Sequence, residues 1–324
     1  MKKQNLGQFN TTKDVWLRPH ILEFIENSSC DTIVDPFAGQ GDLLDLFSDY
    51  SVVGYDIDPT MGWEENDSLV DIPKWDNAMV VTNPPYLAKN SANRNNFESY
   101  KYFEDSDCED LYQIAIYRVL AKYDKAVFII PETYFQSEVL IGYLYSYTVI
   151  EENPFEDTDC PICVAAFHAT NDFGAIISGN NYKIYKNDEH LFDRFELEDM
   201  LRDFNSLKWL DITFNDPAGN LGLRGVDGVD PNNQIKFCKP EELNYDLSAV
   251  GNTSRAITVL NVGCKITDEY INHANFLLGE LRNRTDDVVL SPFKNNNKAG
   301  RRRRRLDFKW ARKILEKTAE DLDK

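Results

Sequence analysis

No apolar run in the chain approaches the ~18 residues that a bilayer-spanning helix needs. The first ten residues, MKKQNLGQFN, carry two lysines with no apolar stretch behind them, so no secretory leader is expected. Cysteine is sparse and scattered, at positions 30, 108, 160, 163, 238 and 264. Only Cys160 and Cys163 form a CxxC, with no second pair. That pattern disfavours zinc and favours buried thiols in a reducing compartment. Internal repeats and long low-complexity tracts are also missing. Positive charge is in deficit: 35 Lys and Arg stand against 54 Asp and Glu, a net −19, which argues against a general polyanion binder.

The 324 residues, 42% of them apolar, suffice for one large core or two domains. The charge is unevenly spread. Residues 291–324 hold 12 basic and 5 acidic side chains, so the tail is at +7 and the remainder at −26. An acidic body with a basic tail, KAGRRRRRLDFKWARK, suggests one local contact with a polyanion; a solvated charge run is the plainer alternative.

Residues 15–27, VWLRPHILEFIEN, have helical apolar spacing, with Pro19 in the first turn. DTIVDPFAGQGDLLDLF reads as a buried strand, a Gly-containing turn and a helix; SVVGYDIDP and NAMVVTNPPY read as two further strands. DLYQIAIYRVLAKY is an amphipathic helix, KAVFIIPETYF and PICVAAFHA are strands, and YKIYK is another. Strands alternating with helices imply an α/β fold with a parallel sheet. The rhythm changes after about residue 180. FNDPAGNLGLRGVDGVDPNNQ is rich in Gly, Asn and Asp and is expected to be a long loop or turn cluster. We therefore expect domains at 1–180 and 181–324, the second an irregular α+β unit.

In IVDPFAGQGDLL a strand delivers Asp35, and Gly39 and Gly41 let the backbone turn toward a ligand. This is neither a full G-x-G-x-x-G nor a P-loop, since no Lys-Ser/Thr follows. An acid before the turn repels phosphate and attracts an ammonium or sulfonium group. Asp56 follows 21 residues after Asp35 at the tip of the next strand, placed to accept from two ribose hydroxyls, with Asp58 as the alternative. Asp67, in ENDSLVD, can bond an exocyclic amine. Asp56, Asp58 and Asp67 also fit a solvent-facing role, and the Asp35 segment an ordinary strand-turn-helix. In VTNPPYL, Asn83 offers a side-chain oxygen and Pro84 a backbone carbonyl, and the two prolines stiffen that pair of acceptors. Tyr86 adds a flat face for a heteroaromatic ring. Such a pocket suits a planar –NH₂ group, and a rigid turn is the plainer reading.

Together these segments resemble the S-adenosylmethionine-dependent amino methyltransferases, particularly the N6-adenine DNA methyltransferases of restriction–modification systems. DPFAGQG is similar to their cofactor loop, NPPY to their catalytic tetrapeptide, and GQFNTT (7–12) to their G-Q-x-x-T-P segment, with Thr12 where proline is usual. The resemblance covers roughly residues 5–170. It implies a Rossmann-like, mainly parallel, seven-stranded sheet followed by a C-terminal α+β target-recognition region. It implies S-adenosylmethionine held by Phe9, Thr11, Asp35, Pro36, Ala38, Gly39, Gly41, Asp56, Ile57 and Asp67, and catalysis by Asn83, Pro84, Pro85 and Tyr86. Tyr86 and Phe155 are expected to stack on the target base, with core packing the alternative for Phe155. Double-stranded DNA is the implied partner. Its expected contacts are Lys89, Arg224, Arg282, Arg284, Lys294, Lys298, Arg301, Arg302, Arg303, Arg304 and Arg305, with Lys309 and Arg312 beside them. The segment after Tyr86, with Lys89, Arg94 and Lys101, is expected to be a long polar loop that closes over the base or stays a plain surface loop. A monomer in a bacterial, archaeal or viral cytoplasm, with any restriction endonuclease acting separately, completes the expectation. The rivals are a methyltransferase acting on RNA adenine, one acting on a protein glutamine amide, and a non-catalytic nucleic-acid-binding module. The basic tail and long C-terminal region disfavour the glutamine reading.

Overall fold

A computed structural model of the chain describes residues 14–155, 158–169, 181–250 and 256–323. The chain divides into two compact units, Met1–Arg194 and Phe195–Lys324.

The first unit contains α1 (Pro19–Glu26), α2 (Lys89–Arg94), α3 (Leu111–Leu120) and the short α4 (Tyr134–Ser137). Its strands are β1 (Thr32–Asp35), β2 (Ser51–Asp56), β3 (Glu64–Glu65), β4 (Ala78–Thr82), β5 (Lys125–Pro131), β6 (Leu144–Ile150), β7 (Ile162–His168), β8 (Lys183–Lys186) and β9 (Glu189–Asp193). They form one sheet in the order β3-β2-β1-β4-β5-β7-β6-β8-β9. The run from β3 to β5 is parallel, and β7 is inserted antiparallel between β5 and β6. β1, β4, β5 and β7 are buried along nearly their whole length, which is why they read as continuous apolar runs rather than alternating ones. Pro19 opens α1, where its missing N–H costs nothing, and Ile21, Phe24 and Ile25 form the buried face.

The α/β class and the mainly parallel sheet agree with expectation, and β1 to β7 alone supply seven strands. The sheet is larger, however, because β8 pairs parallel with β6 and β9 pairs with β8. The division at 194/195 rather than 180 follows from those two added strands. Two local expectations also fail. The helix foreseen after the Gly turn shrinks to a 3-10 turn at Leu44–Leu46. The polar segment after Tyr86 is folded, with Ala92 and Phe103 in a cluster with Leu111 and Ile114.

In the second unit, α5 (Arg194–Arg202) begins where the first unit ends. β10 (Ile212–Phe214), β11 (Leu221–Arg224), β12 (Lys236–Cys238) and β13 (Ile257–Val262) form an antiparallel sheet in the order β10-β13-β11-β12. The expected long loop therefore contains a strand, β11. Gly219 is required ahead of it, because a Cβ there would lie 2.3 Å from the Leu260 carbonyl oxygen. α6 (Asp268–Thr285) and α7 (Phe308–Leu322) are N-capped by Thr267 and Asp307. The Tyr270 hydroxyl ties them by donating to the Leu315 carbonyl at 2.7 Å. Between them lies a two-stranded hairpin, β14 (Ser291–Asn296) and β15 (Arg302–Arg305). No described helix is long and apolar enough to cross a membrane.

Candidate active site

The strand order reverses at β1, which pairs with β2 on one side and β4 on the other. In open α/β sheets such a reversal leaves a crevice at the carboxyl ends of the strands. Three sequence-predicted segments end there: Asp35 closes β1, Asp56 closes β2, and Asn83 follows β4 directly.

Asp35 and Thr82 join the two central strands across the reversal, the threonine hydroxyl donating to the carboxylate at 2.6 Å. The Phe37 N–H donates to the same oxygen at 2.9 Å. Asp35 is only 1% exposed, and burial pushes its pKa up to about 7, with Asp56 adding to the rise and the two hydrogen bonds opposing it.

The Gly turn is built as its φ values demand, with Gly39 at +54° and Gly41 at +90°. The Gly39 N–H donates to Asp56 Oδ2 at 2.9 Å, and the Asp58 N–H donates to Oδ1 at 2.8 Å. One carboxylate thereby locks the turn to the tip of β2. Each of its oxygens retains acceptor capacity for a further donor. Asp58, the alternative, spends its carboxylate on the Thr60 N–H and hydroxyl. Asp67 accepts from the Tyr102 hydroxyl at 2.8 Å, with the Lys101 ammonium at 3.9 Å. Pro36 and Ala38 are buried, while Ile57 is 37% exposed beside Asp56.

Trp63 completes this wall. Its indole N–H donates to the Gly39 carbonyl at 3.0 Å, and its ring lies so close to β2 that a Cβ at Gly54 would be 2.5 Å from it. A Cβ at Gly41 would come within 2.9 Å of the same ring. At Gly39, by contrast, a Cβ would meet nothing within 4 Å, so this face of the turn is open.

Beyond β4, Pro84 and Pro85 are buried and Asn83 half-buried. The Tyr86 hydroxyl donates to the Ile129 carbonyl of β5 at 2.7 Å and also lies against the Asn83 side-chain oxygen. A phenol has one proton to give. The donors balance if the Asn83 amide is turned so that its NH₂ meets the phenol oxygen, since amide O and N are exchanged by a half-turn. Asp110 supports the segment from behind, accepting from the Leu87 N–H at 2.9 Å, and burial raises its pKa to about 7. Phe155 is 3% exposed and meets the 7%-exposed Tyr86 edge to face, centroids 6.3 Å apart and planes at 63°. Burial holds the Cys163 thiol well above its ordinary pKa, so it is a poor nucleophile. Among the described residues, no group of three or more His, Cys, Asp or Glu side chains is placed to hold a metal ion.

The structure thus brings together Asp35, Pro36, Ala38, Gly39, Gly41, Asp56 and the segment Asn83–Tyr86. Phe9 and Thr11 lie outside the described residues. Sequence reasoning missed Thr82, Trp63, Tyr102 and Asp110. Only Trp63 left a trace, because a glycine inside a strand marks a close approach and Gly54 is such a glycine.

The expected cationic contacts divide sharply. Lys89 donates to the Ser106 carbonyl at 3.2 Å, inside the folded segment. Arg282 is committed to two carboxylates, donating to Asp227 at 3.0 and 2.9 Å and to Asp287 at 2.8 and 2.9 Å, so it is a structural ion pair rather than a base reader. Arg284 pairs with Asp203 at 2.8 Å. Arg304 is buried, and Arg303 donates to the Asp227 carbonyl at 2.7 Å. Arg312 donates to the Leu210 and Ile212 carbonyls at 2.8 and 3.0 Å. Lys294, Lys298 and Arg301 are exposed on the hairpin; Arg224, Arg302 and Arg305 are half-buried.

No protein-family model matches the chain, and no curated protein does. Among solved structures it is similar to the methyltransferase subunit of a type I restriction–modification system from Streptococcus thermophilus, at 16% identity and TM-score 0.38, over 60% of this chain and 53% of that one. It is similar to the type IIG restriction endonuclease BpuSI at 14% identity and TM-score 0.38, over 76% of this chain and 33% of that one. A dimethyladenosine transferase from Plasmodium falciparum aligns at 16% identity and TM-score 0.29, over 50% of this chain and 64% of that one. The chain therefore spans less than two thirds of each.

Proposed function

We propose that the chain is an S-adenosylmethionine-dependent methyltransferase acting on the N6 amine of an adenine flipped out of duplex DNA, in a restriction–modification setting. The observation that carries this reading is the hydrogen-bonded junction of Asp35 and Thr82 at the strand reversal. In support, the acidic, Gly-containing ends of β1 and β2 and the Asn83–Tyr86 segment after β4 lie at the carboxyl ends of neighbouring strands.

The wall fits a nucleoside cofactor without phosphates. Asp56, held by two backbone N–H groups, can accept from both ribose hydroxyls, and Asp67 can accept from an adenine amine. Glycine at 39 leaves room for close approach, and Asp35 suits a neighbouring cation. Bound there, the cofactor would supply a methyl carbon on a sulfonium. The chain's own part is to hold the acceptor. The Asn83 side-chain oxygen and the Pro84 carbonyl accept from the two amino hydrogens, which frees the nitrogen lone pair from the ring. With the amine held in this way its nitrogen would be free to accept the methyl group that the cofactor would supply, and the amino proton released would pass to solvent. Positioning and these two acceptors are the catalytic contribution, with no covalent enzyme intermediate. Flipping the base costs a few kcal/mol, which phosphate contacts from the exposed cations of the second unit help offset.

Incubation of the chain with labelled cofactor and a mixed pool of DNA and RNA, followed by base-resolved mapping of the methyl group, tests this. N6-methyladenine in DNA at a defined sequence, lost in Asn83→Ala with cofactor binding retained, is the expected result. Label in RNA alone, or activity retained in Asn83→Ala, would overturn it.

A further inference from the structure

Residues 291–306 hold seven Lys and Arg and no Asp or Glu, in a chain of net charge −19. They form the hairpin β14–β15, whose two ends differ physically. The base is fixed. Arg304 is 4% exposed, and its N–H donates to Asp227 Oδ2 at 3.0 Å, on the carboxylate that also holds Arg282. The Asp227 N–H donates to the Arg304 carbonyl at 3.0 Å, the Leu306 N–H to the Gly225 carbonyl at 2.9 Å, and Val226 bridges Arg305. Arg303 stacks over Phe293 at 4.9 Å. Two of the five consecutive arginines are therefore spent on anchoring the hairpin.

The tip is exposed from Lys294 to Asn296 and from Lys298 to Arg301. Its turn is closed by Asn297, whose side-chain oxygen accepts from the Ala299 and Arg301 N–H groups, both at 3.0 Å. Gly300 at φ +77° completes the turn, and the Lys298 N–H is tethered to the Val229 carbonyl at 2.9 Å. Asn297 is thus consumed by the turn, while the adjacent amides of Asn295 and Asn296 face solvent between two lysines. A surface built only for phosphates needs cations. Neutral amides carrying both a donor and an acceptor, flanked by cations near the tip of a hairpin, suit the edge of a base. A two-stranded ribbon fits the B-form major groove, where an amide pairs with adenine N6 and N7. The A-form major groove is too deep and narrow for it.

We propose that the hairpin is a base-reading ribbon for the major groove of duplex DNA. Asn295 and Asn296 determine specificity at its tip, and Lys294, Lys298 and Arg301 contact phosphates. The inference rests on the DNA substrate proposed above but does not depend on the catalytic assignment.

Two measurements on the full chain separate these readings: selection of bound sequences from a random duplex DNA pool, and methyl transfer to the selected sequences. Wild type should enrich one motif. Asn295→Gly, which tolerates the left-handed φ of +62° at that position, and Asn296→Ala should each lose roughly 10- to 100-fold of discrimination at one base pair, with the thermal transition little moved. Lys298→Ala should weaken binding to all sequences alike and reduce the salt slope by about 1. An unchanged motif in both asparagine variants overturns the ribbon even if methyl transfer proceeds. So does failure of wild type to enrich any motif, or equal binding to a matched RNA duplex. Motif loss in the variants without methyl transfer by wild type would leave the ribbon standing and remove the catalytic reading.

Discussion

Asp35→Asn tests the electrostatics of the crevice most directly. Burial raises the Asp35 carboxyl from its ordinary 3.8 to about 7 in the native state, while the unfolded chain titrates near the ordinary value. The native protein therefore holds the proton more tightly between those limits, and stability falls as pH rises through that window. Between pH 5.5 and 8.5 the difference amounts to about 1.5 pKa units, or about 2 kcal/mol at ~1.36 kcal/mol per unit. Asp110, raised to about 7 by the same cause, contributes a similar fall that the substitution leaves in place. Urea unfolding of wild type and variant at both pH values isolates the Asp35 share. The fall in stability should shrink by about 2 kcal/mol in Asp35→Asn, because asparagine keeps the shape and loses the titration. Cofactor binding gives a second readout. A sulfonium beside Asp35 favours the ionised carboxyl, so affinity should climb by up to about tenfold per pH unit below 7 and level off above. The demethylated product, which keeps its ammonium and loses only the sulfonium charge, should show a smaller climb. Parallel stability profiles, or a product that follows the same pH dependence, would refute the placement of a buried, proton-holding carboxyl next to the reacting cation.

Tyr86→Phe removes the hydroxyl from a buried carbonyl, Ile129, and should cost about 1–3 kcal/mol of stability by denaturant titration, with a larger proportional loss in methyl transfer than in cofactor affinity. Gly54→Ala drives a methyl into Trp63 and should destabilise the protein by about 1–3 kcal/mol, with a shift in tryptophan emission that reports the displaced indole. Arg282→Ala leaves Asp227 and Asp287 without their shared counterion and should cost about 3–5 kcal/mol by the same titration, whereas Arg301→Ala should leave stability within about 0.5 kcal/mol and lower DNA affinity.

The sequence exposed the crevice because its central strands are buried on both faces. Ile33–Val34 and Met79–Val81 are uniformly apolar, so Asp35 and Asn83 stand out where each run stops. What it hid are contacts between distant segments. Thr82 looks like the end of a strand until its hydroxyl is found 2.6 Å from Asp35, 47 residues away. The helix foreseen after Gly41 did not form, although Leu43 and Leu44 are buried as its pattern required; burial was legible there and backbone geometry was not. β11 was masked by glycines, since Gly222 packs against Leu243 and Gly219 against the Leu260 backbone, and composition reads both as turn residues. The arginines show the same blindness in charge. Nothing local separates Arg282, gripped by two carboxylates, from Arg301 on an exposed turn.

On the proposed reading Tyr86 and Phe155 flank the target base. Gripping a base between parallel rings needs a spacing of roughly 7 Å, two carbon–carbon contacts of about 3.5 Å each. Tyr86 and Phe155 already stand 6.3 Å apart, so it is the 63° between their planes that fills the slot, more than the distance. Tyr86 is pinned at its hydroxyl by β5 and followed by the Leu87–Asp110 hydrogen bond, and two prolines precede it. Phe155 sits between β6 and β7, where the Asn153 side chain accepts its N–H at 3.0 Å. On that reading one segment carries both the amine acceptors, Asn83 and Pro84, and a ring held to β5, so the atoms that aim the base and the plate against it share one anchor.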